Sequence, residues 1–100
     1  WMAMSRDRGT QRQTHDYGYG QVCDVEGVPV DGYIVEGANQ EHGIIARVGG
    51  ADSDIARRFP VGTQLRILPN HACATAAQFA EYVALDATDG AVTWPRFGGW

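Results

Sequence analysis

The chain contains no lysine; all eight of its basic residues are arginine (positions 6, 8, 12, 47, 57, 58, 66 and 96). Any reaction that needs a Schiff-base amine, including the anchoring of pyridoxal phosphate, therefore cannot be completed within these residues. A phosphate-binding loop of the GxxxxGK type is excluded for the same reason. Cysteine is scarce too. Cys23 and Cys73 lie 50 positions apart, outside any disulfide-framework spacing, and read as reduced thiols of a cytoplasmic protein. No apolar run approaches the ~18 residues of a membrane span, and no basic-then-apolar leader opens the chain. Eight basic against twelve acidic residues leave a net charge of −4, which argues against a nucleic-acid partner. Internal repeats and low-complexity tracts are missing as well. The opening Trp1-Met2-Ala3-Met4 reads as a cut from a longer polypeptide.

What is present is ordinary for a globular piece: 100 residues, 44% apolar and 20% charged, enough for one modest core. Short apolar segments broken by glycine predict strands at 18–24, 30–36, 44–48, 63–68, 82–86 and 91–97. Leu65 and Ile67 alternate with Gln64 and Arg66, as a half-buried strand requires. Thr88-Asp89-Gly90 predicts a hairpin turn, and Pro95 places the last strand on an edge. Two short helices are expected. Asp52 caps one that carries Ile55 and Phe59 and stops at Pro60. The second starts at Thr75, where Thr75-x-x-Gln78 is a capping box, with Ala76, Phe79, Ala80 and Val83 as its stripe. Tyr17, Tyr19, Trp94, Phe97 and Trp100 are expected to serve core and edge packing. The fold class that follows is mainly β with two short helices, a β-barrel or sandwich-like domain spanning 1–100.

The chemistry concentrates in Leu68-Pro69-Asn70-His71-Ala72-Cys73-Ala74-Thr75. In an extended segment His71 and Cys73, two apart, would share a face. Imidazole and thiolate together are a soft pair suited to zinc. Two ligands leave a tetrahedral sphere open, so water, substrate or another domain would complete it. The same spacing also arises by chance, with Cys73 a small buried hydrophobe, and the residues alone leave both readings open. Glu41 and His42, in Asn39-Gln40-Glu41-His42-Gly43, are candidates for a base or for a group orienting His71, against a solvated loop as the plainer reading. In Ser5-Arg6-Asp7-Arg8-Gly9-Thr10 a carboxylate between two arginines reads as an ion-pair knot, or Arg6 or Arg8 as a holder of an anionic substrate. His15 and Asp16 read as exposed loop.

Taken in order, Met4-Ser5-Arg6-Asp7-Arg8-Gly9-Thr10, Asp16-Tyr17-Gly18-Tyr19-Gly20, Asn39-Gln40-Glu41-His42-Gly43, Pro60-Val61-Gly62-Thr63, Leu68 to Thr75 and Trp94-Pro95-Arg96-Phe97-Gly98-Gly99-Trp100 run along nearly the whole chain. This succession resembles the C-terminal domain of the pyridoxal phosphate-dependent D-threonine aldolase and D-serine dehydratase family, whose architecture is similar to that of alanine racemase. The resemblance implies an N-terminal barrel that holds the cofactor on a lysine, a β domain packed at its mouth, and a homodimer. It implies a divalent metal on His71 and Cys73. Cysteine in place of aspartate favours zinc over manganese and leans toward the dehydratases. The Ser5–Thr10 words and Trp100 lean toward the aldolases. It further implies a D-3-hydroxy amino acid substrate whose β-hydroxyl meets the metal, cleaved to glycine and an aldehyde or dehydrated to a 2-oxo acid and ammonia. Two alternatives stand beside the lyase: a racemase-like protein in which this domain only packs and dimerises, and an independent metal-binding module.

Overall fold

Asp24 and Gly27 reverse the chain after its first strand. One carboxylate oxygen of Asp24 accepts from the amides of Glu26 (3.0 Å) and Val28 (2.8 Å), and Gly27 takes the φ of +87° that the turn needs. The computed structural model describes residues 4–7, 14–86, 88 and 90–98. Strand β1 (Gly20–Cys23) pairs with β2 (Pro29–Asn39) across this turn. A tight reversal at Gln40, φ +51°, then leads into β3 (His42–Arg47). After helix α1 (Ile55–Arg58), β4 (Arg66–Pro69) returns to the free side of β1. The result is an antiparallel sheet in the order β3-β2-β1-β4. Helix α2 (Ala72–Ala76) follows, and β5 (Glu81–Asp86) with β6 (Gly90–Pro95) form a separate two-stranded hairpin.

The core sits on one face of the four-stranded sheet. Val22, Tyr33 and Val35 are its buried centre, ringed by Met4, Tyr19, Val30, Ile45, Ile55, Phe59, Leu65 and Ile67. The Tyr17-Gly18-Tyr19-Gly20 word has a steric cause. A Cβ on Gly18 would lie 2.4 Å from the Val35 carbonyl oxygen, and one on Gly20 would lie 2.6 Å from that of Leu68. Only glycine lets the entry of β1 press between its two neighbours.

The expected mainly-β chain with two short helices is what the structure contains, its sheets open among the described residues. The expected alternation at β4 holds, since Leu65 and Ile67 pack on the core and Arg66 is exposed. Ile55 and Phe59 also reach the core as expected. Three local expectations need correction. Asp52 precedes the helix cap, which is Asp54. One of its oxygens accepts from the Asp54 amide at 2.9 Å, and the other accepts from the Tyr33 hydroxyl.

Helix α2 starts three residues early and stops at Ala76, because extended His71 takes the N-cap position. The supposed stripe is divided: Phe79 is exposed and Val83 belongs to β5, paired with Thr93. A two-turn helix is marginal by itself, and strand pairing takes the β-branched and aromatic residues. Trp94 (58% exposed) and Phe97 (92%) do not pack in the core. Asp89 and Trp100 lie outside the described residues, whereas Gly90 closes the hairpin opposite Asp86 at φ +75°. No helix among the described residues is long and apolar enough to cross a membrane.

Candidate metal centre

Three sequence words converge where β4 leaves the sheet. The Asn70 amide donates to the Tyr19 carbonyl at 2.9 Å, which anchors the exit of β4 to the entry of β1. The Asn70 side chain reaches further. Its Nδ2 donates to the carbonyls of Arg6 (3.2 Å) and Asp7 (3.0 Å), tying down a segment more than 60 residues earlier. Within that segment the Asp7 amide donates to Ser5 Oγ at 3.0 Å. His71 then stands with Nδ1 3.3 Å from Asp7 Oδ2, its side chain 28% exposed.

The surroundings hold the same segment from the other side. The Arg6 guanidinium pairs with Asp16 at 3.3 Å and lies over the Tyr19 ring at 5.8 Å. Asp16 in turn accepts from the Gly18 amide at 2.8 Å. Asp16, read from sequence as exposed loop, is thus a structural partner of Arg6. His15 contacts the Tyr17 ring edge-on, with 6.2 Å between centroids. Arg6, a candidate for holding an anionic substrate, is engaged by Asp16 and Tyr19; Arg8 lies outside the described residues.

Cys73 is exposed and unpaired on the first turn of α2, whereas Cys23 is buried and unpaired in β1. The extended geometry expected to put His71 and Cys73 on one face is not the one observed. His71 is extended (φ −128°, ψ 103°), but the helix begins immediately after it. Among the described residues, no group of three or more His, Cys, Asp or Glu side chains is arranged to hold a metal. The two ligands expected from sequence, His71 and Cys73, supply an imidazole nitrogen and a sulfur. Their nitrogen and sulfur chemistry suits zinc, in a sphere with positions left open.

Glu41 and His42 sit in the β2–β3 hairpin, His42 opposite Asn39. Strands β2 and β4 run in the same direction on either side of β1, so this hairpin and His71 share one end of the sheet. Two inter-strand spacings, about 10 Å, separate β4 from β2, and three, about 14 Å, separate it from β3, which carries His42. The carboxylate that the fold brings to His71 is that of Asp7.

A second cluster escaped the sequence reading. Asp31, Tyr33, Arg47, Asp52, Asp54, Arg57 and Arg58 line an open cleft of about 400 Å³. The hydrogen bond to Asp52 raises the Tyr33 pKa above the usual phenol value, with desolvation adding to it. The same bond, helped by the Asp54 amide, holds the Asp52 carboxyl below the usual carboxylate value. Arg58 lies 5.1 Å over the Tyr33 ring, and Phe59 meets that ring edge-on at 5.1 Å. The available signal was the inward position of Tyr33 on an alternating strand, since a buried tyrosine hydroxyl needs a partner.

The family model described as "Putative serine dehydratase domain" matches residues 1–85. The chain belongs to this family. It is 64% identical over 101 residues to D-threo-3-hydroxyaspartate dehydratase of Delftia sp. strain HT23, across the whole chain and 27% of that protein. The solved structure of the Delftia enzyme matches the entire domain at TM-score 0.85 and 64% identity, over 27% of its own chain. Two solved variants of a D-threo-3-hydroxyaspartate dehydratase match at TM-score 0.86 and 63% identity, over all of this chain and 26% and 27% of theirs. One replaces a histidine by alanine. The other, in a metal-free form, replaces a cysteine two positions further on. An alanine-racemase-like protein from Idiomarina loihiensis matches the whole domain at TM-score 0.80 and 50% identity, over 26% of its length. The domain therefore spans about a quarter of the relatives it matches.

Proposed function

We propose that this chain is the metal-binding C-terminal part of a lyase that dehydrates a D-3-hydroxy amino acid, D-threo-3-hydroxyaspartate or a close relative, to a 2-oxo acid and ammonia. The observation that carries the reading is 64% identity, over the full chain, to a D-threo-3-hydroxyaspartate dehydratase. That relative favours dehydration over the retro-aldol route, which the sequence words left open. The solved variants support His71 and Cys73 as the ligands, because their histidine and cysteine have the same spacing of two. Zinc is the metal the thiolate favours, with manganese second.

A divalent metal held there supplies Lewis acidity toward the substrate's β-hydroxyl. Pyridoxal phosphate belongs on a lysine elsewhere in the polypeptide, since these residues contain none. His71 contributes a nitrogen donor from the rigid exit of β4, and Cys73 a sulfur donor from the first turn of α2. The overall change breaks the β-carbon–oxygen and α-carbon–hydrogen bonds. The released enamine tautomerises and is hydrolysed, giving the 2-oxo acid and ammonia. The partners in this reading are the cofactor-binding barrel of the same polypeptide and a second copy of the chain, in a cytoplasmic enzyme.

The test uses the complete polypeptide, stripped with a chelator and titrated with cobalt(II). Wild type is expected to show a near-ultraviolet thiolate charge-transfer band and to regain release of the 2-oxo acid with metal. Cys73→Ser should lose the band, and His71→Ala should bind the metal far more weakly. Full activity of the stripped enzyme without added metal would overturn the metal assignment. Glycine and an aldehyde as the products would overturn dehydration.

A further inference from the structure

We propose that Asp7 is a positioning residue for His71, holding the imidazole in the tautomer that carries its proton on Nδ1 and offers Nε2 to the metal. The inference rests on the metal-lyase reading for its purpose and on geometry for its content. A neutral imidazole has one N–H and one lone pair, and whatever the first contacts decides where the second points. An ionised carboxylate only accepts. With Asp7 Oδ2 3.3 Å from Nδ1, the proton belongs on Nδ1 and the free lone pair on Nε2. A carboxylate that holds a ligating histidine in this way orients the ring.

The arrangement around Asp7 is built rather than incidental. Asp7 is exposed, on a segment with no regular secondary structure, yet its backbone is held from two directions. Asn70, the neighbour of His71, donates to the Arg6 and Asp7 carbonyls. Ser5 Oγ accepts from the Asp7 amide. The Arg6 side chain is fixed in turn by Asp16 and the Tyr19 ring. Tyr19 also accepts from the Asn70 amide, so both members of the Asp7–His71 pair hang from one frame. The other Asn70 side-chain atom, Oδ1, is buried with no hydrogen-bond partner among the described residues. The side chain therefore serves through its donor end, which is the end that fixes residues 6 and 7.

The test compares wild type, Asp7→Asn, Asp7→Ala and His71→Ala in the complete polypeptide. The first readout is nitrogen-15 NMR of selectively labelled histidine in metal-free protein, at a pH where the ring is neutral. Wild type is expected to show His71 protonated at Nδ1. Asp7→Ala should shift it toward a mixture of tautomers, and Asp7→Asn, which keeps an acceptor, should shift it less. The second readout is the cobalt(II) dissociation constant, expected to weaken about 10–100-fold in Asp7→Ala and less in Asp7→Asn. Unchanged nitrogen shifts and affinity in Asp7→Ala, with cobalt binding lost in His71→Ala, would overturn the role of Asp7 and leave the metal reading standing. Unchanged cobalt affinity in His71→Ala would instead overturn the metal reading, while the tautomer still decides whether Asp7 holds the ring.

Discussion

An alanine at Gly18 would set its Cβ against the Val35 carbonyl, and one at Gly20 against the Leu68 carbonyl, in both cases backbone that cannot swing aside. Each substitution is expected to destabilise the protein by about 1–3 kcal/mol in urea unfolding of the complete polypeptide. Gly18→Ala should fall at the upper end, because Gly18 also has φ +60°. An equal loss in Gly98→Ala, whose Cβ would meet nothing closer than 3.6 Å, would show that contact is not the cause. The Tyr33–Asp52 bond makes a prediction of another kind. The lowered Asp52 pKa contributes stability above its unfolded value, near 4, and that stability is lost as pH falls through the folded pKa. The raised Tyr33 pKa contributes below about pH 10 and is lost as pH rises through the folded value. Tyr33→Phe should therefore lower stability at neutral pH and flatten the fall in acid; an unchanged acid limb would refute the linkage. Single residues were legible in the sequence where local alternation carried them, as in Leu65 and Ile67 against Arg66. Partnership was not. Asp7 and His71 are 64 positions apart, and no periodicity announces the pairing of Arg6 with Asp16.

Alternation and turn residues made the elements readable: the six strands fall close to where apolar runs and glycines put them. The boundary that moved most was that of α2. A capping box and an apolar stripe at helical spacing described a helix that the pairing of β5 with β6 overrides. Local pattern cannot weigh a strand partner ten residues away, which is why that element, and with it the local geometry of Cys73, was misjudged. The two sheets should also differ in dynamics. Strands β1 and β2 are flanked on both sides or packed on the core, whereas the β5–β6 hairpin contributes no residue to the buried cluster. In this chain expressed alone, hydrogen exchange of the hairpin amides is expected to be much faster than that of Val22, Tyr33 and Val35. Uniform protection across both sheets would show that the hairpin is stabilised by contacts the fold does not display.

At the scale of the whole molecule, surface is in excess. The chain exposes 7751 Å², against roughly 5,600 Å² for a compact monomer of its mass. Its radius of gyration is 14.9 Å, against roughly 12.7 Å for 100 residues. Val83, Leu85, Trp94 and Phe97 are among the apolar side chains left in solvent. Expressed alone, the chain is expected to bind a hydrophobic dye such as ANS and to unfold at lower urea than the same residues within the complete polypeptide. A sharp transition at the same midpoint, without dye binding, would contradict this. The Asn70 side chain has a consequence that reaches across the molecule. By fastening Arg6 and Asp7 to the strand exit that carries His71, it would make metal capture at the proposed His71 site and docking of the early segment two faces of one equilibrium. Whatever free energy the segment lent to an ion bound there, the ion would return to the segment in equal measure.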